Sequence, residues 1–214
     1  MQPTRRDVLR LTGLGVLGAA GATALPWGAG LSAKSANTLA KGFQPFRQRF
    51  VRPPVARPVR SVRDRDGQWV DHFELTMRRG AAEVLPGITT SVFGYNGVTP
   101  GPTIKMRRGR RSVVRFRNHL PELHPTLGHE FTTSVHLHGP GSLPQFDGYA
   151  SDVTPPGFYK DYHYPNFQHA RTLWYHDHGV HHTAENAYSG LYAQYHLHER
   201  PRWTCCRRAS STYR

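Results

Sequence analysis

From Trp69 onward, apolar and polar side chains alternate at every second residue, and that period confines the chain to extended strands with one buried face. Phe73, Leu75 and Met77 fall on one face of the first such segment, with His72, Glu74 and Thr76 on the other. Ser112 to Asn118 repeats the pattern, placing Val114 and Phe116 opposite Arg115 and Arg117. Thr133 to His138, Thr172 to His178 and Leu191 to His198 complete the set. Asn96-Gly97 and Pro100-Gly101-Pro102 are turn signals, and 21 glycines and 17 prolines in 214 residues favour short strands over long helices. Hydrophobic residues make up 37%, enough for one core of modest size. The reading predicts an all-β chain, an antiparallel sandwich or barrel, with no internal repeat.

Histidine is the residue in excess. Thirteen of the fourteen lie between His119 and His198. Two His-x-His pairs stand out, His136-Leu137-His138 before Gly139 and His176-Asp177-His178 before Gly179. Residues two apart on a strand share a face at a spacing of roughly 7 Å. That spacing suits two neighbouring ions better than one. Val135 and Leu137 would then face the core, and Tyr175 and Asp177 would lie opposite His176 and His178. Two such pairs predict a metal site, but imidazole suits copper, zinc, iron and nickel alike. The run His176-x-His178-x-x-His181-His182 resembles in part the zinc motif of metallo-β-lactamase-like hydrolases. That motif needs an Asp immediately before its last His, where this chain has His181. A formal net charge of +14 raises nucleic-acid binding, yet no basic helix or RNA-binding motif organises the scattered arginines, so we read a solvated basic surface and expect no nucleic-acid partner.

Three ordered motifs then give a specific resemblance. Tyr95-Asn96-Gly97-Val98-Thr99-Pro100-Gly101-Pro102-Thr103-Ile104, Ser134-Val135-His136-Leu137-His138-Gly139 and Thr172-Leu173-Trp174-Tyr175-His176-Asp177-His178 resemble the first cupredoxin domain of multicopper oxidases. Thr183-Ala184-Glu185-Asn186-Ala187-Tyr188-Ser189-Gly190-Leu191 is most similar to the branch holding bacterial spore-coat laccase, bilirubin oxidase and phenoxazinone synthase. The resemblance covers about Trp69 to Glu199 and implies a cupredoxin-like Greek-key β-sandwich or barrel over residues 61–199. It also implies a copper-dependent oxidoreductase. In such enzymes a type 1 copper takes single electrons from a phenol, a bilirubin-like pigment or a metal ion, and a trinuclear cluster uses them to reduce dioxygen to water. By motif, His136 corresponds to the type 2 copper ligand, His138 and His176 to ligands of one type 3 copper, and His178 to a ligand of the other. Asp147 before Gly148 resembles the aspartate that orients the cluster's water and supplies protons. Without the resemblance it reads as an ordinary Asp-Gly turn.

In that family four further histidines and the type 1 ligands lie in a C-terminal cupredoxin domain. The two cysteines here, Cys205 and Cys206, are adjacent and sit in no His-Cys-His context. They allow neither a disulfide framework nor a Cys-x-x-Cys site. The expectation is half of a copper cluster, inactive on its own without the C-terminal domain. The rival is a non-catalytic copper-binding or interaction domain, and a downstream reading frame encoding His-Cys-His would separate the two.

Outside this region the chain changes character. Residues 1–30 read as a twin-arginine-type signal peptide, with Arg5-Arg6 before an apolar run from Leu11 to Ala24 and a small-x-small end at Ala22-Thr23-Ala24. The run falls short of the roughly 20 residues that span a bilayer, so the mature chain is expected outside the cytoplasm with no membrane span. Residues 31–60 read as a Pro/Arg-rich linker, and residues 200–214 as an aberrant tail that an out-of-frame reading of a longer gene would explain. Changing Arg5 and Arg6 to Lys is expected to block export of a reporter fused after Gly30, because Lys keeps the charge but lacks the planar, multi-donor guanidinium. Equal export of both leaders would point to the general secretory route instead.

Overall fold

The computed structural model describes residues 49–199; the expected leader, residues 31–48 of the expected linker and the tail at 200–214 lie outside the described residues. The strands run β1 (Arg60–Arg63), β2 (Trp69–Leu85), β3 (Ile88–Tyr95), β4 (Ile104–Arg107), β5 (Arg111–Asn118), β6 (Val135–His138), β7 (Tyr159–Tyr164), β8 (Arg171–Asp177) and β9 (Tyr192–His198). A 3-10 turn at Pro144–Phe146 and a short helix, α1 (Thr183–Ser189), interrupt them. One sheet has the order β1-β2-β5-β7, with β3 paired to the far half of β2; the other has the order β4-β9-β8-β6.

Alternation gives each sheet one apolar face, and the two faces meet. Phe73, Leu75, Met77, Val114 and Phe116 are buried from the first sheet, and Val135, Leu137, Leu173, Tyr175, Tyr195 and Leu197 from the second. Aromatic rings lock the sheets together: Tyr175 packs 4.8 Å from Tyr95 and 5.6 Å from Phe116, centroid to centroid. The expected cupredoxin-like β-sandwich is what these sheets form. On the outer face of β5 the basic excess is partly paired, with Arg115 gripping Asp161 through both Nε and Nη2 at 2.7 Å and Arg117 bonded to Glu74.

Strand direction departs from the expectation. The chain is not wholly antiparallel, because β2 pairs with β5 in parallel and β4 with β9 in parallel. A half-buried strand shows the same two-residue period in either direction, so alternation could not distinguish them. The helix α1 also lay beyond a periodicity argument, since its seven residues make fewer than two full turns. The stretch before β1 is extended and carries part of a ladder. The Thr103 N–H donates to the Pro54 carbonyl at 2.7 Å, and the Ala56 N–H donates to the Thr103 carbonyl at 2.9 Å. Pro54 can serve there because only its carbonyl is used.

Leu137 lies at the centre of this packing, wholly buried between two outward-facing histidines. Leu137→Ala is expected to cost about 2–5 kcal/mol in denaturant unfolding with an unchanged m-value. A loss below about 1 kcal/mol would mean that β6 is not held by its core-facing side chain.

Candidate metal centre

Strand pairing brings the two histidine pairs together. β6 and β8 run antiparallel with His136 opposite His176 and His138 opposite Trp174. Beyond the end of β8, the His178 N–H continues the contact by donating to the Ser134 carbonyl at 2.7 Å. Because alternate residues share a face, Trp174, His176 and His178 stand beside His136 and His138, while Val135, Leu137, Tyr175 and Asp177 turn inward and are buried.

All four predicted histidines therefore converge. His136 lies 5.3 Å from His138, 5.6 Å from His176 and 5.2 Å from His178, ring centroid to centroid. His138 and His176 are 5.7 Å apart, and His176 and His178 6.0 Å. One nitrogen from each of His136, His138 and His176 lies within 4.8 Å of the other two. The rings lean closer together than their backbone spacing suggests. Trp174 stacks on His176 at 4.1 Å and on His138 at 5.4 Å, covering one side of the group. Its position two residues before His176 places it on the histidine face, a signal legible in the period that the sequence reading did not use.

Backbone carbonyls fix the tautomers. A carbonyl only accepts, so a ring nitrogen bonded to one must carry the hydrogen. His136 Nδ1 donates to the Asp147 carbonyl, and His176 Nδ1 donates to the Asp177 carbonyl at 2.6 Å. In both rings Nε2 is the nitrogen left for a ligand, the arrangement that metal-ligating histidines favour. His176 Nε2 faces His138 Nδ1 at 3.5 Å, and His178 Nδ1 is buried with no hydrogen-bond partner. Burial, helped by the neighbouring imidazoles, pushes the His176 pKa down to about 4, so the ring is neutral at physiological pH, the form that binds metal.

Asp147 is placed at this site through its backbone as well as its side chain. Its carboxylate is about half exposed, with Oδ1 3.7 Å from His136 Nδ1, while its carbonyl holds that ring. Gly148 makes the approach possible. A Cβ there would stand 2.3 Å from the Val135 carbonyl oxygen, and the residue has a φ of +77°.

Asp177 is the functional residue whose role the sequence left unread, although a carboxylate on the core side of a strand must be bonded to something. Its Oδ1 accepts from the Ser134 N–H at 2.8 Å; its Oδ2 accepts from the Gly179 N–H at 3.2 Å and from Asn186 Nδ2 at 3.0 Å. Burial still raises its pKa above the ordinary carboxylate value. The carboxylate thus joins the start of β6, the end of β8 and α1. His181 and His182 turn elsewhere: His182 stacks on His129 at 3.7 Å. The run that resembled a zinc-hydrolase motif is thereby divided between two places.

A two-sheet domain presenting four converging imidazoles offers the donor set of a borderline transition metal. The sequence profile of the multicopper oxidase family matches residues 76–202. The chain belongs to that family, whose members bind copper. It is 45% identical over 147 residues to the bilirubin oxidase of Albifimbria verrucaria, covering 68% of this chain and 24% of that protein. Against the laccase of Bacillus subtilis (strain 168) it is 33% identical over 169 residues, covering 69% of this chain and 32% of that one. The crystal structure of a multi-copper oxidase from Pediococcus acidilactici matches with a TM-score of 0.58 at 25% identity, covering 69% of this chain and 29% of that one. The chain thus spans about a quarter to a third of the length of these relatives. Among the described residues, no helix is long and apolar enough to cross a membrane.

Asp177→Asn keeps the shape of the side chain but turns one acceptor into a donor facing N–H groups. It is expected to lower stability by about 1–3 kcal/mol in denaturant unfolding, and a wild-type midpoint would show that the carboxylate does not join these segments.

Proposed function

We propose that this domain provides half of the histidines of a trinuclear copper cluster in a multicopper oxidase, in which dioxygen is reduced to water at the expense of a phenol, a bilirubin-like pigment or a metal ion. The observation that carries this reading is the convergence of His136, His138, His176 and His178 on one face of β6 and β8. Membership of the family and the likeness to a bilirubin oxidase and a laccase support it. The residues fit copper: four imidazoles, the His136 and His176 rings oriented by carbonyls, and a buried His178 Nδ1 that no protein group satisfies. Copper bound there would supply one-electron redox chemistry and bind oxygen.

His136 would serve the type 2 position and His176 a type 3 position, each through the Nε2 left free by its bonded Nδ1. His138 would join His176 through the Nδ1 that faces it, and His178 would serve the other type 3 ion. Asp147 stands at the solvent edge of the group, where its half-exposed carboxylate can orient water and relay protons from solvent. Trp174 stacks on the rings of His176 and His138 and would brace them from that side. The remaining histidines and the electron-accepting type 1 site would come from a C-terminal cupredoxin domain. We also propose that the protein works outside the cytoplasm, on the strength of the Arg5-Arg6 leader.

Metal analysis of the copper-loaded chain is expected to show a large loss of copper when His136, His138, His176 and His178 are all changed to Ala. The unaltered chain by itself is expected to show neither intense blue absorption nor donor oxidation, since Cys205 and Cys206 lie in no type 1 context. Unchanged copper content in the fourfold variant would move the site to other histidines. Blue colour together with laccase-type turnover would overturn the half-cluster reading.

A further inference from the structure

A second group of metal-ligating side chains lies apart from the cluster. Four residues after His178, His182 at the start of α1 meets His129 from the loop between β5 and β6. Their rings stack 3.7 Å apart with planes 13° from parallel. Glu185, in the first turn of α1, sets Oε2 3.0 Å from His182 Nδ1 and 3.1 Å from His129 Nε2. We propose that His129, His182 and Glu185 form a separate site for one divalent transition-metal ion of the zinc or cobalt type, distinct from the copper-ligating histidines.

The tautomer of His129 is the first reason. Its Nδ1 lies 2.9 Å from the Glu130 carbonyl and must donate to it, so Nε2 is the nitrogen left to ligate. That nitrogen is buried and makes no hydrogen bond, yet it stands 3.1 Å from a carboxylate oxygen. Two acceptor atoms at that separation need a positive charge, a proton or a metal ion, between them. A metal ion satisfies both atoms, and the Nδ1–H bonded to a backbone carbonyl is the partner that ligating histidines take.

The distances and the ligand set give the second reason. Zinc bonded to nitrogen and oxygen at about 2.0–2.1 Å separates neighbouring tetrahedral ligands by roughly 3.3 Å. The two nitrogen–oxygen separations here are close to that edge. Two imidazoles and one carboxylate leave a fourth position for water, a combination zinc accepts. In the metal-free protein His182 Nδ1 donates to Glu185 Oε2 at 3.0 Å, so an ion entering between them would take the place of that proton, and the stacked rings would turn about their terminal torsions to meet it.

The surroundings hold these groups in place without competing for the ion. The loop is pinned by Phe131 N–H donating to the Glu122 carbonyl at 2.9 Å and by His124 N–H donating to the His129 carbonyl at 2.8 Å. His124 packs 5.2 Å from His129, but its Nδ1 is used by the N–H groups of Thr126 and Leu127, each at 3.2 Å. It supports the site and does not ligate. His181, with a φ of +66°, turns the chain between the two groups of histidines.

Cobalt(II) is a suitable probe because its visible absorption reports coordination. The full chain with His136, His138, His176 and His178 changed to Ala is expected to bind one equivalent with the visible band of a four- or five-coordinate ion. Adding Glu185→Gln or His129→Gln should weaken that binding at least tenfold. No saturable cobalt binding, or binding indifferent to both changes, would overturn the site without touching the copper proposal. If circular dichroism shows that the fourfold variant does not fold, the intact chain serves instead. Glu185→Gln alone should then remove one equivalent of bound cobalt, and unchanged stoichiometry would overturn the proposal.

Discussion

A slip of one residue between β6 and β8 would turn His136 and His138 into the core and put Val135 and Leu137 in water, because side chains alternate across a strand. The register of this pair is therefore the constraint on which the cluster rests, and several contacts outside the ladder hold it. The Val135 N–H donates to the Tyr162 hydroxyl at 3.0 Å, from a strand of the opposite sheet. Asp177 binds the Ser134 N–H on one side and Gly179 and Asn186 on the other. A shifted register would break the Val135 and Ser134 bonds together, leaving buried N–H groups and one oxygen of a buried carboxylate without those partners.

The same arrangement explains why a group of four imidazoles is tolerated beside an apolar core. Protonating His176 would bury a charge among three other rings, and its pKa falls to about 4 as a result. Neutral rings still need partners for their N–H groups, and the carbonyls of Asp147 and Asp177 provide them for His136 and His176. His178 Nδ1 has none. Such local conflict between polar groups and burial is expected where function rather than stability selects the residues. The two histidine groups also differ in support: His136, His138 and His176 lie within strands, whereas His129, His182 and Glu185 lie on a loop and a short helix, which suits a site that adjusts to its ion.

Much of the fold and the four-histidine site was legible from the residues themselves. Alternation along Val135-His136-Leu137-His138 and Trp174-Tyr175-His176-Asp177-His178 determined which side chains face the core, because the strand period is two whatever the strand pairs with. It could also have marked Trp174 as a neighbour of the rings and Asp177 as a carboxylate in need of donors. Only the tertiary structure decided which strands are neighbours and in which direction they run, since parallel and antiparallel pairs leave the same one-sided pattern in a half-buried strand. It alone joined His129 to His182 and Glu185, and the Asp147 carbonyl to His136, because those contacts cross between segments distant in the chain and depend on backbone atoms or loop paths that residue identity does not specify.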